Sequence, residues 1–235
     1  MFAIFSMFLG LLHYLLPTFL LFTIYMVINY YGHEFFKVQF GDLTLAFNPI
    51  SKDSKLKGAK FGADIALVSI NTPETNGVDQ VSFGEKVPFT ITGPGEYEIK
   101  DVFIKGFPGG ISSDGKRNTI YFVTLEGMNL CFLGALPSKD IPTEAKSAFE
   151  EVDILFVPIG GGDVLSASDA YKLAVSLEPH VIIPMHYGEN ESGKTAVKTF
   201  LKEGEGGEEM DKLTIKKKEL EGHEGDIIVL ATNGS

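Results

Sequence analysis

Apolar and polar positions alternate along this chain in two ways, and the change from one to the other predicts its elements. Between Val152 and Gly188 two continuous apolar runs, Asp153–Pro158 and Val181–Met185, are rich in Ile, Val and Leu and read as strands buried on both faces. Between them Ala170, Leu173, Ala174 and Leu177 recur at i, i+3, i+4 and i+7, a helix that Ser166 and Asp169 cap and Pro179 ends. Strand, crossover helix and strand make a right-handed β-α-β unit, whose ligands collect where the strands exit. The glycine run Gly160–Gly162 leaves the first strand there and His186 leaves the second.

Before this unit the pattern is short, aromatic and β-branched. VINYYG, FFKVQF and LTLAFN predict an antiparallel meander with Gly-His and Gly-Asp turns, and DIALVS (64–69) a buried strand after the polar stretch 51–62. Further strands are predicted over 87–92, 97–107, 118–125 and 128–133, and a helix over 142–150. After Gly188 a helix over 195–203 and strands over 213–220 and 226–230 close the chain, an order that argues for α/β with mixed sheets covered by helices.

Residues 1–25 stand apart. The stretch Met1–Ile28 is apolar and carries no Asp, Glu, Lys or Arg, so as a helix it is long enough to cross the ~30 Å hydrocarbon layer. Two readings stay open: an N-terminal hydrophobic helix that anchors the chain, or a misplaced start, with translation beginning at Met26. Either way the globular domain is 26–235.

Composition narrows the function. A formal net charge of −11 and the absence of any basic cluster beyond Lys216–Lys218 argue against nucleic acid and leave a small molecule of unknown identity as the expected partner. The lone Cys131 sits in an apolar run and forms no internal disulfide, which suits a reducing, cytoplasmic setting, with membrane contact only through residues 1–25. A histidine in a turn, such as His33, is most simply a capped or solvated residue, and Glu96 and Glu98 are carboxylates on one strand face with nothing to show that they meet a cleft.

Taken in order, YYGHEFFKV, DIALVS, GPGEYEI, FLGAL, DILFVPIGGG and IIPMHYG resemble the metallo-β-lactamase superfamily, in particular its predicted zinc-dependent hydrolases and sugar-lactone hydrolase branch. The resemblance runs from about Met26 to Leu230. It implies an αββα sandwich of two mixed β-sheets flanked by helices, with the active site along one edge.

The same resemblance implies a metal loop, His-x-His-x-Asp-His, after the DIALVS strand, where this chain has Ile70, Thr72, Glu74 and Thr75. A further ligand histidine would fall near Phe107–Gly110, where there is none, and the bridging aspartate at Ala135. Hydrocarbon offers no lone pair, so the candidate metal ligands reduce to His186 and Glu74, with His33 or Asp163 as additions, and no catalytic residue is nominated. The expectation is a retained fold without the two-metal site, serving as a binding or scaffolding protein with no cofactor, zinc being implied by the resemblance alone. The alternative is a hydrolase of a lactone, ester or phosphoester with an atypical one-metal site.

Gly188–Thr195 also matches G-x-x-x-x-G-K-[ST] between a strand and a helix, the pattern of a phosphate loop. Too few residues follow to complete a nucleotide-binding sheet, and Glu189 and Glu191 place negative charge in the loop. Nucleotide binding there is the third expectation.

Overall fold

The structure, a computed structural model, describes residues 25–149, 151–188 and 190–233. Five strands come first: β1 (Met26–Tyr30), β2 (Phe36–Phe40), β3 (Leu43–Phe47), β4 (Ile65–Leu67) and β5 (Phe89–Ile91). The remainder runs β6 (Gly95–Ile99), β7 (Val102–Ile111), β8 (Arg117–Leu125), β9 (Met128–Phe132), α1 (Thr143–Ala148), β10 (Ile154–Pro158), α2 (Ala167–Ser176), β11 (Val181–Met185), α3 (Glu191–Glu203), β12 (Glu208–Met210), β13 (Leu213–Ile215) and β14 (Asp226–Leu230).

They form two mixed sheets, a six-stranded one in the order β13-β1-β2-β3-β4-β5 and an eight-stranded one in the order β12-β14-β11-β10-β9-β8-β7-β6. The sheets stack because each presents an apolar face: Ile28, Phe36, Leu45 and Leu67 from one meet Ile104, Leu130, Phe156 and Ile183 from the other. Helices α1, α2 and α3 cover the outer face of the eight-stranded sheet, Ala145, Leu173 and Phe200 packing on Leu133, Leu155 and Ile182. Over the outer face of the six-stranded sheet the buried Phe35, Ala46 and Ala66 are covered by Ile50, Ala63 and Val81, from irregular chain and the end of a short 3-10 turn over Val78–Gln80. This is the αββα sandwich of two mixed sheets that the sequence predicts.

Strands β10 and β11 pair in parallel with Ile154 opposite Val181 and Pro158 opposite Met185, so both exit at the same end. Ser166 Oγ accepts from Asp169 N–H at 3.2 Å and caps α2. Three boundaries differ from expectation. The run 97–107 splits into β6 and β7, because Lys100 and Asp101 both take positive φ (52° and 62°) and reverse the chain. The strand expected over 213–220 stops at Ile215 and becomes a 3-10 turn over Lys217–Leu220.

Helix α3 starts at Glu191 instead of Thr195, since Asn190 caps it by accepting from Gly193 N–H at 2.9 Å. In the stretch read as a phosphate loop, a Cβ on Gly193 would lie 1.7 Å from Gly188 O, and among the described residues Gly193 N–H is taken by Asn190 Oδ1 and Lys194 N–H by Asn190 O, which speaks against a phosphate cradle. Residues 1–24 lie outside the described residues, and with them the expected anchor. Among the described residues no helix is long and apolar enough to cross a membrane.

Candidate metal centre

His186 leaves β11 in the left-handed region at φ 55°, a conformation that a non-glycine residue adopts only where its surroundings hold it. The hold is visible. Its N–H donates to His33 O at 2.6 Å, and Tyr30 Oη donates to the same carbonyl at 3.0 Å, so the β1–β2 turn of one sheet is tied to the exit of β11 in the other. His33 is itself left-handed at φ 55°, following Gly32 at φ 92°. The two imidazole rings meet with centroids 4.1 Å apart.

Between them lies a group that sequence reasoning missed. Glu34 is fully buried, and its Oε1 is hydrogen-bonded to His186 Nδ1. Its Oε2 accepts from Asn48 Nδ2 at 2.5 Å. Asn48, also buried and left-handed (φ 43°), donates from the same nitrogen to Ser69 Oγ at 2.8 Å and accepts from Ser69 N–H at 2.7 Å. A chain of polar contacts thus runs from the end of β4 through Asn48 and Glu34 to His186. Burial raises the carboxyl's pKa, but the nearby His186 and the bonds from His186 and Asn48 outweigh it and hold Glu34 below the usual carboxylate range. An ionised carboxylate can only accept, so Nδ1 of His186 carries the proton of this bond, the tautomer that in a neutral imidazole leaves the lone pair on Nε2.

Burial also acts on His33. Burial pushes its pKa down to about 4, which the carboxylate of Glu34 opposes only in part. A histidine whose folded pKa lies below its unfolded value of about 6.5 binds its proton first in the unfolded chain, so stability is lost as pH falls from about 6.5 toward 4. We expect metal-free protein to lose about 3 kcal/mol across that window, and His33→Asn, which keeps a residue tolerant of the left-handed turn, to flatten the curve. Urea unfolding at pH 7, 5.5 and 4.5 measures it; identical pH slopes for the two proteins would contradict the assignment.

The other expected residues fall as follows. His33, Glu34 and His186 offer ligand atoms within 4.8 Å of one another, whereas Glu74 belongs to no such group among the described residues. Glu74 is half-buried, meets Ser54 Oγ at 3.4 Å and stands near enough to His33 to act on its charge. Asp163 accepts from Ser113 Oγ at 2.5 Å. Ile70, Ala135 and Val164 form a small buried apolar cluster, and Thr75 donates to Ile70 O, so the loop that would carry the family's ligands is closed on itself.

Similar proteins carry the reading further. A family model described as a beta-lactamase superfamily domain matches residues 27–186. A Pyrococcus abyssi protein named a metal-dependent hydrolase is 27% identical over 140 residues, 57% of this chain and 58% of its own length. A Natranaerobius thermophilus protein of the same description is 23% identical over 188 residues, 69% of this chain and 83% of its own. The chain thus spans less than two thirds of the first of these relatives and more of the second. A crystal structure from Thermotoga maritima, assigned to the Zn-dependent hydrolases of the metallo-beta-lactamase superfamily, superposes with a TM-score of 0.72 at 27% identity, covering 87% of this chain and 98% of that one.

These findings back the alternative of a metal-dependent hydrolase better than the expectation of a non-catalytic scaffold: the relatives are described as metal-dependent hydrolases, and the fold gathers a group of three residues that could hold a metal ion. The sheet order, the strand exits and the match over most of the sandwich agree that this chain belongs to the beta-lactamase superfamily.

Proposed function

We propose that the protein is a metal-dependent hydrolase of a lactone, ester or phosphoester that works with a single divalent cation held by His33 and His186. The observation that carries this is the paired imidazoles with centroids 4.1 Å apart, that of His186 oriented by the buried carboxylate of Glu34 at its Nδ1. Two imidazole nitrogens with a nearby carboxylate suit a zinc-class ion, and a carboxylate behind a ligating histidine fixes both its tautomer and its direction. A bound cation there supplies Lewis acidity toward a carbonyl or phosphoryl oxygen.

The chain's own groups do the rest. Glu34, with both oxygens engaged inside the core, orients His186 and takes no part in proton transfer. Glu74, held only by a long contact to Ser54, is the carboxylate near His33 best placed to take a proton from water. Ile70 and Ala135, at positions where the family resemblance implies metal ligands, are buried in an apolar cluster and offer no lone pair, which favours a single cation. The net charge of −11 favours neutral lactones and esters over highly anionic phosphates.

Metal-stripped protein should hydrolyse members of a panel of aryl esters, γ- and δ-lactones and p-nitrophenyl phosphate only after Zn²⁺, Mn²⁺ or Fe²⁺ is restored. In His186→Ala the restored rate should fall by about 100-fold or more, the scale on which a lost ligand or its support acts. Turnover that is independent of metal, or unchanged in His186→Ala, would contradict the proposal.

A further inference from the structure

At the opposite end of the sandwich, where the chain enters β10 and β11, a second set of donors converges. Asp153, the residue before β10, is fully buried, and His180, the residue before β11, sets its Nδ1 3.4 Å from Asp153 Oδ1. With Glu151 they offer ligand atoms within 4.8 Å of one another. The parallel register explains the convergence: Val181 N–H donates to Asp153 O at 2.9 Å and His180 N–H to Val152 O at 3.1 Å, so the two strand entries lie side by side.

This position already holds a cation. Lys217, from the 3-10 turn after β13, places its ammonium 2.7 and 2.8 Å from the two Asp153 oxygens and 3.1 Å from Glu151 Oε1. Asn129 N–H completes Asp153 Oδ2 at 2.8 Å. The ammonium serves the carboxylates but not the imidazole: His180 Nδ1 is buried and makes no hydrogen bond among the described residues. A buried polar atom without a partner is unfavourable and calls for a ligand that supplies one. The Lys217 ammonium is engaged with three carboxylate oxygens, whereas a zinc-class ion takes imidazole nitrogen and carboxylate oxygen together.

The surroundings allow the exchange. Lys217 is a long side chain, 41% exposed, able to swing into solvent, and Glu151 is 58% exposed. His180 also lines a cavity of about 420 Å³, bounded in addition by Tyr171, Glu178, His223 and Glu224. His186 is not among the residues that line this cavity. We propose that Glu151, Asp153 and His180 form a second divalent-cation site, in which a zinc-class ion displaces the Lys217 ammonium.

Equilibrium dialysis with Co²⁺ as the probe tests this independently of the hydrolase reading. The wild-type isotherm should contain a component lost in His180→Ala and kept in His186→Ala; His180 is only partly buried and its removal deletes an unpaired atom, so that variant should fold. Removing the competing ammonium in Lys217→Met should tighten this component by about tenfold or more, because the binding-competent state no longer has to expel it. Lys217→Met should also lower the melting temperature by about 5 °C, and Co²⁺ should restore it only while His180 is present. An isotherm unchanged by His180→Ala, or a rescue that persists in Lys217→Met/His180→Ala, would overturn the proposal, whatever becomes of the site at His186.

Discussion

Glu34→Ala should destabilise the fold by about 3–5 kcal/mol, the range for breaking a buried charged pair by removing one partner. The carboxylate is wholly inside the protein and answers two donors, His186 Nδ1 and Asn48 Nδ2. Truncation leaves His186 Nδ1 without its acceptor, leaves Asn48 Nδ2 with Ser69 Oγ alone and opens a buried cavity. Glu34→Gln separates stability from metal binding. Its amide oxygen can still accept from Asn48, and its NH₂ can donate to His186 Nδ1 only if that nitrogen gives up its proton. The imidazole then carries its proton on Nε2, the atom assigned to the cation. Glu34→Gln should therefore unfold close to the wild type in urea while losing about 10- to 100-fold in metal affinity, the usual effect of removing a carboxylate behind a ligating histidine. A Gln variant with wild-type affinity would remove Glu34 from the site's design.

Gly160→Ala is the second substitution with a large expected effect. A Cβ at Gly160 would stand 2.1 Å from His186 O and 3.5 Å from His186 Cδ2. The obstacle is main chain and cannot rotate away, so either the exit of β10 or the left-handed turn at His186 must move. Ile159 N–H is tied to Met185 O at 3.0 Å and His186 N–H to His33 O at 2.6 Å, which leaves both exits little freedom. The expected loss is about 2–4 kcal/mol of stability, as for overpacking against rigid surroundings, together with weakened metal binding because the displaced residue is a ligand. Denaturant unfolding and dialysis of the same variant measure both. An alanine protein with unchanged midpoint and unchanged affinity would show that the close approach at this exit is not needed.

The β-α-β unit was legible because β10 and β11 are buried on both faces and so read as unbroken apolar runs, with a capped amphipathic helix between them. That pattern alone puts His186 at a strand exit. Other features hid for physical reasons. Apolar alternation continues from β6 into β7, and the reversal at Lys100 and Asp101 uses two non-glycine residues that carry no turn signature. Asn190 as the cap of α3 was obscured by the glycine and lysine spacing of the loop around it.

Glu34 was the main omission. Its partner His186 is 152 residues away, and only the oddity of a carboxylate entering the aromatic FFKVQF strand marked it. Ile70 and Ala135 offer no lone pair, but the inference from them to an empty site ignored donors from the β1–β2 turn.

The central claim is one cation, and only one, at the strand exits, between His33 and His186. Anomalous diffraction from crystals grown with zinc, recorded on both sides of the zinc edge, tests it most directly. The account predicts a single peak at that end of the sandwich, about 2.0–2.1 Å from a nitrogen of each histidine. Two peaks sharing the region of Ile70 and Ala135, or none within reach of His186, would contradict it.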